Sequence, residues 1–446
     1  MEGDEHGPAV MLSTADSIFP AILADAWRKR GLEVVVVTCG ERGNWLPPDV
    51  RVIRSGESSG PWSRWAWRAA SRLLSPVERI LARLGRRRFR RNTGRDAPEA
   101  WEWQVLQPSL ASGPLARTVL AQRPRFVFGQ EAAAYGLATA RCRGVPRILF
   151  PWGSDVFNTA ESWPGAHWMI RRALHGVDLV VPSSTTAARH LIRRFGLPEA
   201  KVKALSWGID LAGPSRASAA ERSRLCAKWG LDPAAVIVQN CRRFLPLWGC
   251  FTALDAFLRL SEEVERAHFV LFGGEAARPH LAEARRRIAA AGKAARFTLV
   301  DRELKFEEFL ELASVSDIFT SLVQRGDMRS SSVLLLAAAG AAPVIGDVPE
   351  YRLMAENGFS ALFPSATSAD QALDALRRLL GDPALRTEFA ARNAEYLRIH
   401  EDRERQLDLL LSLIDEVCQR YYGGDKGGKP GAAAANVPPS DDVDEA

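Results

Sequence analysis

The sequence predicts two open α/β domains, each a parallel sheet covered by helices, facing each other across a cleft. Three observations predict it. The chain has 446 residues, beyond the ~250–300 at which a single core stops growing. Short β-rich runs alternate with helix-like stretches, the order that builds a parallel sheet with crossover helices. That alternation runs through twice, interrupted near residues 211–232 by a small, polar stretch containing AGPSRASAAERS.

In the first half, AVMLST is followed by the helix-like ILADAWRKR, which Gly31 can stop. EVVVVTC is a β-rich run suited to a buried strand. RFVFG, AAAYGLATARC and RILFPWG then read strand, helix, strand; LVVPSS and VKALSWG add strands around the helix TTAARHLIRRFG. After the linker and a short helix ending at Gly230, the pattern restarts. AAVIVQN, HFVLFGG, FTLV, SDIFTSL and APVIG are strands; FTALDAFLRLSEEV, HLAEARRRIAAAG, ADQALDALRRLLG and LRTEFAARNAEYLRIH are helices. EDRERQLDLLLSLIDEVCQRYY closes the folded part. The Gly, Ala and Pro-rich stretch after it, ending in four acids, buries too little apolar area to offset ordering entropy and reads as a disordered tail. The resulting division is 1–210, linker 211–232, 233–400, closing helix 401–422 and tail 423–446. Open α/β domains in series place a ligand between the carboxyl ends of their sheets.

Composition excludes several classes. Hydrophobic residues make up 47% and charged residues 25%, an ordinary globular balance. No apolar run reaches the ~18 residues of a membrane span, and MEGDEHGPAV lacks the basic-then-apolar order of a signal peptide. Six scattered cysteines without metal spacing read as reduced residues of a cytoplasmic protein. The histidines form no cluster, so no metal is expected. The net charge of +6 is uneven: residues 61–95 hold eleven arginines and one acid, Glu78.

Five segments, in order, resemble the family 4 glycosyltransferases. PWGSDVF at 151–157 resembles that family's interdomain loop, and SWGIDL at 206–211 its turn before the linker. RRFLPLWG at 242–249 resembles its phosphate segment, VLFGGE at 270–275 its glycine turn, and SVLLLAAAGAAPVIGDVPEYRLMAENGFSALFP at 332–364 its donor-binding segment. The resemblance spans roughly residues 10 to 420. It implies a GT-B-like fold of two Rossmann-like parallel-sheet domains, the first on the acceptor side and the second binding a nucleotide-sugar donor. The activity implied is transfer of the sugar, with retention of configuration, to a hydroxyl of a glycan or lipid-linked acceptor, as in polysaccharide biosynthesis. The nucleotide sugar is then a co-substrate, and no tightly bound cofactor is expected.

Arg243, just after a strand end, stands where the family has its phosphate arginine; its fork of donors suits paired phosphate oxygens. The alternative is a surface arginine beside Arg242. Gly273 and Gly274 permit close backbone approach to a ligand, or simply a tight turn. Arg329, Ser330, Ser331 and Ser332 bring polar groups to a helix N-terminus, a favourable anion site. The departures are equally specific. Leu336 and Met328 stand where the family has two glutamates, for the donor ribose and the transferred sugar, and neither side chain can replace a carboxylate. Asp327, one residue earlier, is the candidate replacement. Trp248 stands at the place of a phosphate-binding lysine.

On the acceptor side, Asp155 is the candidate orienting carboxylate, with helix capping as its alternative. Trp152 replaces a histidine and can stack on a sugar or base face; Gly153 and Ser154 share its loop. Asp16 and Ser17 occupy the first strand-to-helix loop, which lacks the family's glycines. In the arginine block, apolar residues recur every three or four places from Trp62 to Leu84, a pattern suited to an anionic membrane surface through residues 61–91. A helix packed on the first domain with a wet basic face is the alternative; nucleic acid binding is a third reading, ranked below the membrane, so nucleic acid is not expected as a partner. A peripheral position on the inner face of the cell membrane follows from that reading. The rival function is a non-catalytic GT-B protein binding a nucleotide, glycan or partner enzyme, motivated by Met328, Leu336 and Trp248.

Overall fold

A computed structural model describes residues 7–14, 18–39, 46–54, 109, 111–162, 165–274, 277–323 and 329–423. The first sheet holds six strands: β1 (Ala9–Leu12), β2 (Val34–Thr38), β3 (Arg51–Arg54), β4 (Phe126–Gln130), β5 (Arg147–Phe150) and β6 (Leu179–Val180). Their order is β3-β2-β1-β4-β5-β6 and every pairing is parallel. The second sheet holds β7 (Val236–Arg243), β8 (Ala267–Phe272), β9 (Phe297–Val300), β10 (Ile318–Ser321) and β11 (Ala342–Ile345), ordered β11-β10-β7-β8-β9, again parallel. The two-domain, Rossmann-like architecture read from the sequence is therefore the one observed.

The strands form where sequence and burial agree. Val34 to Val37 are all buried, as a parallel sheet covered on both faces requires. Helices α1 (Ile18–Lys29), α2 (Ser112–Leu120), α3 (Gly136–Arg141), α4 (Ala166–His175) and α5 (Thr185–Phe195) cover this sheet, divided between its two faces. Met11, Val36, Phe128 and Phe150 point toward α1, where Trp27 packs edge-on against Phe126 and Phe128. Val10, Val35 and Val127 point the other way, toward α2 and α3. Local signals set the helix ends. Ser184 Oγ accepts the Ala187 N–H at the start of α5, and Gly196 ends it at φ 68°.

The second sheet is covered by α6 (Ala219–Trp229), α7 (Cys250–Glu263), α8 (Arg278–Ala290), α9 (Phe306–Val315), α10 (Ser331–Ala338), α11 (Pro349–Glu356), α12 (Ala369–Gly381) and α13 (Pro383–His400). Phe257, Phe269 and Phe297 stack through one core, while Leu336, Phe319 and Tyr351 fill another. The last helix, α14 (Arg403–Gly423), returns to the first domain: Leu407, Leu410, Ile414 and Val417 join the core of β1, β4 and α1. The return passes the SWGIDL turn, where the Ile209 N–H donates to the Glu401 carbonyl at 2.7 Å and the Arg403 N–H to the Ile209 carbonyl. Gly208 sits there at φ 62°, and a Cβ on it would lie 2.6 Å from the Arg403 Cα. No described helix is long and apolar enough to cross a membrane.

Candidate active site

Each sheet reverses strand order once, between β1 and β4 and between β7 and β10. Ligands of open α/β sheets bind at such points, outside the carboxyl ends of the strands. Both reversals are bridged by side chains. Ser13 Oγ, after β1, donates to Gln130 Oε1, at the end of β4, at 2.6 Å. Arg242 Nε, near the end of β7, donates to Ser321 Oγ, at the end of β10, at 3.3 Å.

Two adjoining cavities of about 430 and 340 Å³ occupy the interdomain cleft. Both are lined by Phe19, Trp207, Arg242, Trp248, Ser331 and Ser332, so residues of both domains face one space. The rings are mutually ordered: Phe19 stacks on Trp207 at 5.1 Å and meets Trp152 edge-on at 5.9 Å. The Arg242 guanidinium lies 5.1 Å above the Trp248 ring. The indole that stands at the family's lysine position thus supports a neighbouring cation instead of supplying one. Trp152 Nε1 is buried without a hydrogen-bond partner among the described residues, and its ring lines the smaller cavity. Arg403 lines the larger one, and its Nε is likewise buried and unpartnered. Burial holds that guanidinium below its ordinary pKa.

The sequence-derived candidates divide. Ser331 and Ser332 open α10 onto the cleft, and Ser330 Oγ lies 2.9 Å from Ser332 Oγ. Trp152 and Ser154 line the smaller cavity. Arg243 lines the larger cavity, with its side chain 59% exposed and its Nε 3.5 Å from Glu303. Arg242, read from the sequence as its neighbour and, with Arg329, as a cation to compensate for the lysine missing at Trp248, is the more enclosed and touches both cavities. Gly273 and Gly274 line neither cavity; a Cβ on Gly274 would lie 1.8 Å from Glu303 Oε1, and one on Gly273 would lie 2.4 Å from the Ala277 Cβ. Packing against Ala277 accounts for Gly273, whereas Gly274 meets only the exposed Glu303 side chain. Asp16, Ser17, Asp327, Met328 and the block 61–95 lie outside the described residues.

Asp155 departs from its expected acceptor-orienting role. It is 1% exposed and turned onto the backbone. Its carboxylate accepts the Ala132 N–H at 2.6 Å and the Val156 N–H at 2.9 Å. Burial pushes its pKa up to about 6, against the amides of Ala132, Trp152, Val156 and Gly153, which pull it down. Those bonds tie the 151–157 loop to the start of the helical turn after β4, where Glu131 holds a φ of 65°. This is a non-glycine residue in the left-handed region, at the strand-order reversal. Asp155 is a clamp on that turn, close to the capping alternative.

Arg329 also takes a different role from a simple donor-site cation. It lines the smaller cavity, but Nε donates to Glu350 at 2.7 Å and NH1 to Glu401 at 2.8 Å, and both acids are fully buried. Burial alone would lower the Arg329 pKa; Glu401, Tyr396 and Glu350 outweigh it and hold the charge in place. Glu350 also accepts the Thr186 N–H of the first domain at 3.0 Å, and Glu401 accepts the Ser206 hydroxyl. The cluster therefore fastens the start of α10 to α5 and to the turn before the linker. Leu336, at the place of the family's ribose-binding glutamate, is fully buried in the core. Among the described residues that line one cavity or the other there are four arginines and no carboxylate. No group of acids, histidines or cysteines among the described residues could hold a metal ion.

Arg403 and Phe19 carry no sequence signal for the cleft. Arg403 is one of several charges in EDRERQ, and only the return of the last helix brings it there. Arg242 had a signal, a second arginine at a strand end, but alternation along the strand could not settle which of the two faces the cleft. The β7–β8 register shifts between Gln239 and Arg243, which breaks that alternation.

Comparison with known proteins agrees with this geometry. Glycosyltransferase Family 4 matches residues 79–212. A sucrose-phosphate synthase from Thermosynechococcus elongatus superposes with a TM-score of 0.68 at 14% identity, covering 92% of this chain and 99% of that one. Anabaena HepE in complex with UDP and glucose gives 0.68 at 12% identity, with 92% and 100% covered. A glycosyltransferase from Rickettsia africae gives 0.66 at 12% identity, with 93% and 99% covered. No curated protein matches the chain by sequence.

Proposed function

We propose that this chain, whose residues 79–212 match Glycosyltransferase Family 4 and whose fold is GT-B-like, transfers a sugar from a nucleotide-sugar donor to a hydroxyl of a glycan or lipid-linked acceptor. The observation that carries the reading is the cleft at the two strand-order reversals, lined by arginines, hydroxyls and aromatic rings from both domains. A sugar nucleotide presents a diphosphate and flat apolar faces. Arg242 and Arg403 hold the diphosphate, with Arg243 at the outer edge. Ser331 and Ser332, at the start of α10, face the transferred sugar or its phosphate. Trp152 and Trp207 offer faces on which a sugar or base stacks. Asp327 remains the proposed acid of the loop before α10. A solved protein of the same fold, HepE, has been crystallised with UDP-glucose, which supports a donor of this class.

Configuration is retained in the proposed step. The bond from the anomeric carbon to the donor phosphate oxygen breaks, the acceptor oxygen bonds to the same face, and the acceptor proton passes to the departing diphosphate. The protein contributes position and fixed positive charge, which need no reorganisation as the leaving group develops charge. Leu336 favours a second reading, a GT-B protein that binds the nucleotide without turnover, because a buried leucine cannot hold a ribose. A thermal-shift panel of nucleotide sugars, followed by product detection with glycan and polyprenyl-lipid acceptors, separates the two. Stabilisation with product supports transfer, and stabilisation without product under every acceptor supports the binding reading.

A further inference from the structure

A groove of about 590 Å³ lies on the first domain between α2, α3 and α4. It is at the amino ends of β5 and β6, the opposite end of the sheet from the cleft: Arg141 and Arg143 precede β5, and His175 and Gly176 precede β6. Four arginines, Arg117, Arg141, Arg143 and Arg172, line it together with His175, and no acid does. Among the described residues none of the four makes an ion pair or side-chain hydrogen bond. Arg147 nearby shows the contrast, held by Asp178 at 2.8 Å. The His175 ring faces the Phe195 carbonyl at 2.8 Å.

Helix ends account for part of this charge. Arg117, Arg141 and Arg172 each sit in the last turn of a helix. Three helix C-termini carry roughly half a negative charge each, which leaves most of the four positive charges uncompensated. One further feature breaks the surface nearby: Trp168 is 61% exposed, with the Arg172 guanidinium 5.5 Å above its ring. An exposed indole beside unpaired guanidinium groups suits a phosphate-bearing interface.

We propose that this groove is a second anion-binding site, separate from the cleft, that takes phosphate groups through Arg117, Arg141, Arg143 and Arg172. The chemistry is the same for a lipid headgroup and for a soluble diphosphate: guanidinium forks on phosphate oxygens. It is independent of the arginine block at 61–95 and of the reading of the cleft.

The test compares the full-length protein with a variant carrying Arg117→Gln, Arg141→Gln, Arg143→Gln and Arg172→Gln, and with Arg172→Gln alone should the fourfold variant fold poorly. One arm measures co-sedimentation with phosphatidylcholine vesicles with and without phosphatidylglycerol; the other titrates inorganic pyrophosphate by calorimetry. Binding at the cleft is common to all the proteins, so the difference reports the groove. Each arginine near an anionic surface contributes about fivefold, so vesicle binding is expected to fall by more than about tenfold in the fourfold variant. A loss confined to the vesicles assigns a lipid headgroup, and a loss confined to pyrophosphate assigns a soluble ligand. Unchanged affinity in both arms for a folded fourfold variant overturns the proposal.

Discussion

Replacing Arg242 with alanine is the sharpest probe of the cleft. The guanidinium stands where the second sheet reverses, bonded to Ser321 Oγ and stacked over Trp248. A charge-assisted hydrogen bond to phosphate is worth about 1.5–3 kcal/mol, and each ~1.4 kcal/mol is tenfold in affinity. Arg242→Ala is therefore expected to weaken donor binding by about 10–100-fold. Arg242→Lys recovers only part of it, because a point charge cannot reproduce the fork and stacks less well on Trp248. Arg243→Ala is the internal comparison. Its side chain is more than half exposed beside Glu303, where solvent screens its contribution, so its loss should be smaller, below about tenfold. Calorimetric titration of the preferred nucleotide sugar into all three variants, with circular dichroism confirming the fold, gives the ranking. A folded Arg243→Ala protein that loses more affinity than Arg242→Ala would refute the assignment and restore Arg243 as the principal phosphate ligand.

Arg329→Met leaves Glu350 and Glu401 buried without their cation and should cost about 3–5 kcal/mol, read as a lower midpoint in chemical denaturation. Gly208→Ala drives a Cβ into the Arg403 backbone at a left-handed φ; about 1–3 kcal/mol of destabilisation is expected by the same assay. Asp155 sets a pH dependence. Its carboxyl titrates near 3.8 when unfolded and at about 6 when folded, so between those values the folded state holds the extra proton and stability falls as pH rises. Asp155→Asn should flatten that part of the thermal-midpoint profile. Glu401, also raised by burial, contributes with the same sign and remains in the variant.

Much of the fold was legible because burial and composition coincide. VVVV is a parallel strand covered on both faces, and Ser184 with Gly196 brackets a helix by capping alone. The site was legible only where a side chain's direction follows from local geometry, as at Ser331 and Ser332 on the first turn of α10. Asp155 stayed open between an acceptor role and a cap because a carboxylate in a cleft loop looks the same in sequence whether it faces a ligand or its own backbone. Only the three-dimensional return of the Ala132 amide decides between them. The acids that hold Arg329 were not legible for the same reason: they lie 21 and 72 residues away, beyond any local pattern. Arg403 was invisible because its place depends on the last helix crossing back.

These contacts bear on how, under the proposed function, the cleft would work without the glutamates that the resemblance to family 4 leads one to expect. Paired carboxylates in a donor site must coexist with the diphosphate's negative charge, which demands cations nearby. Here Leu336 is part of the core, and the acids that approach the cleft, Glu350 and Glu401, are turned onto the single Arg329 guanidinium between them. The cavities therefore present cations and rings without a competing described carboxylate. Such a surface binds the anionic part of a donor more readily than it orients the sugar's hydroxyls. Under the proposed function, recognition of the sugar falls to Ser331, Ser332 and the indoles of Trp152 and Trp207. Discrimination between sugars by these groups rests on shape and stacking, so a panel of donors sharing one nucleotide should differ less in affinity than donors sharing one sugar. Equal affinity for donors with different bases, together with strong selection among sugars, would contradict this ordering and point to a polar sugar subsite beyond Ser331 and Ser332.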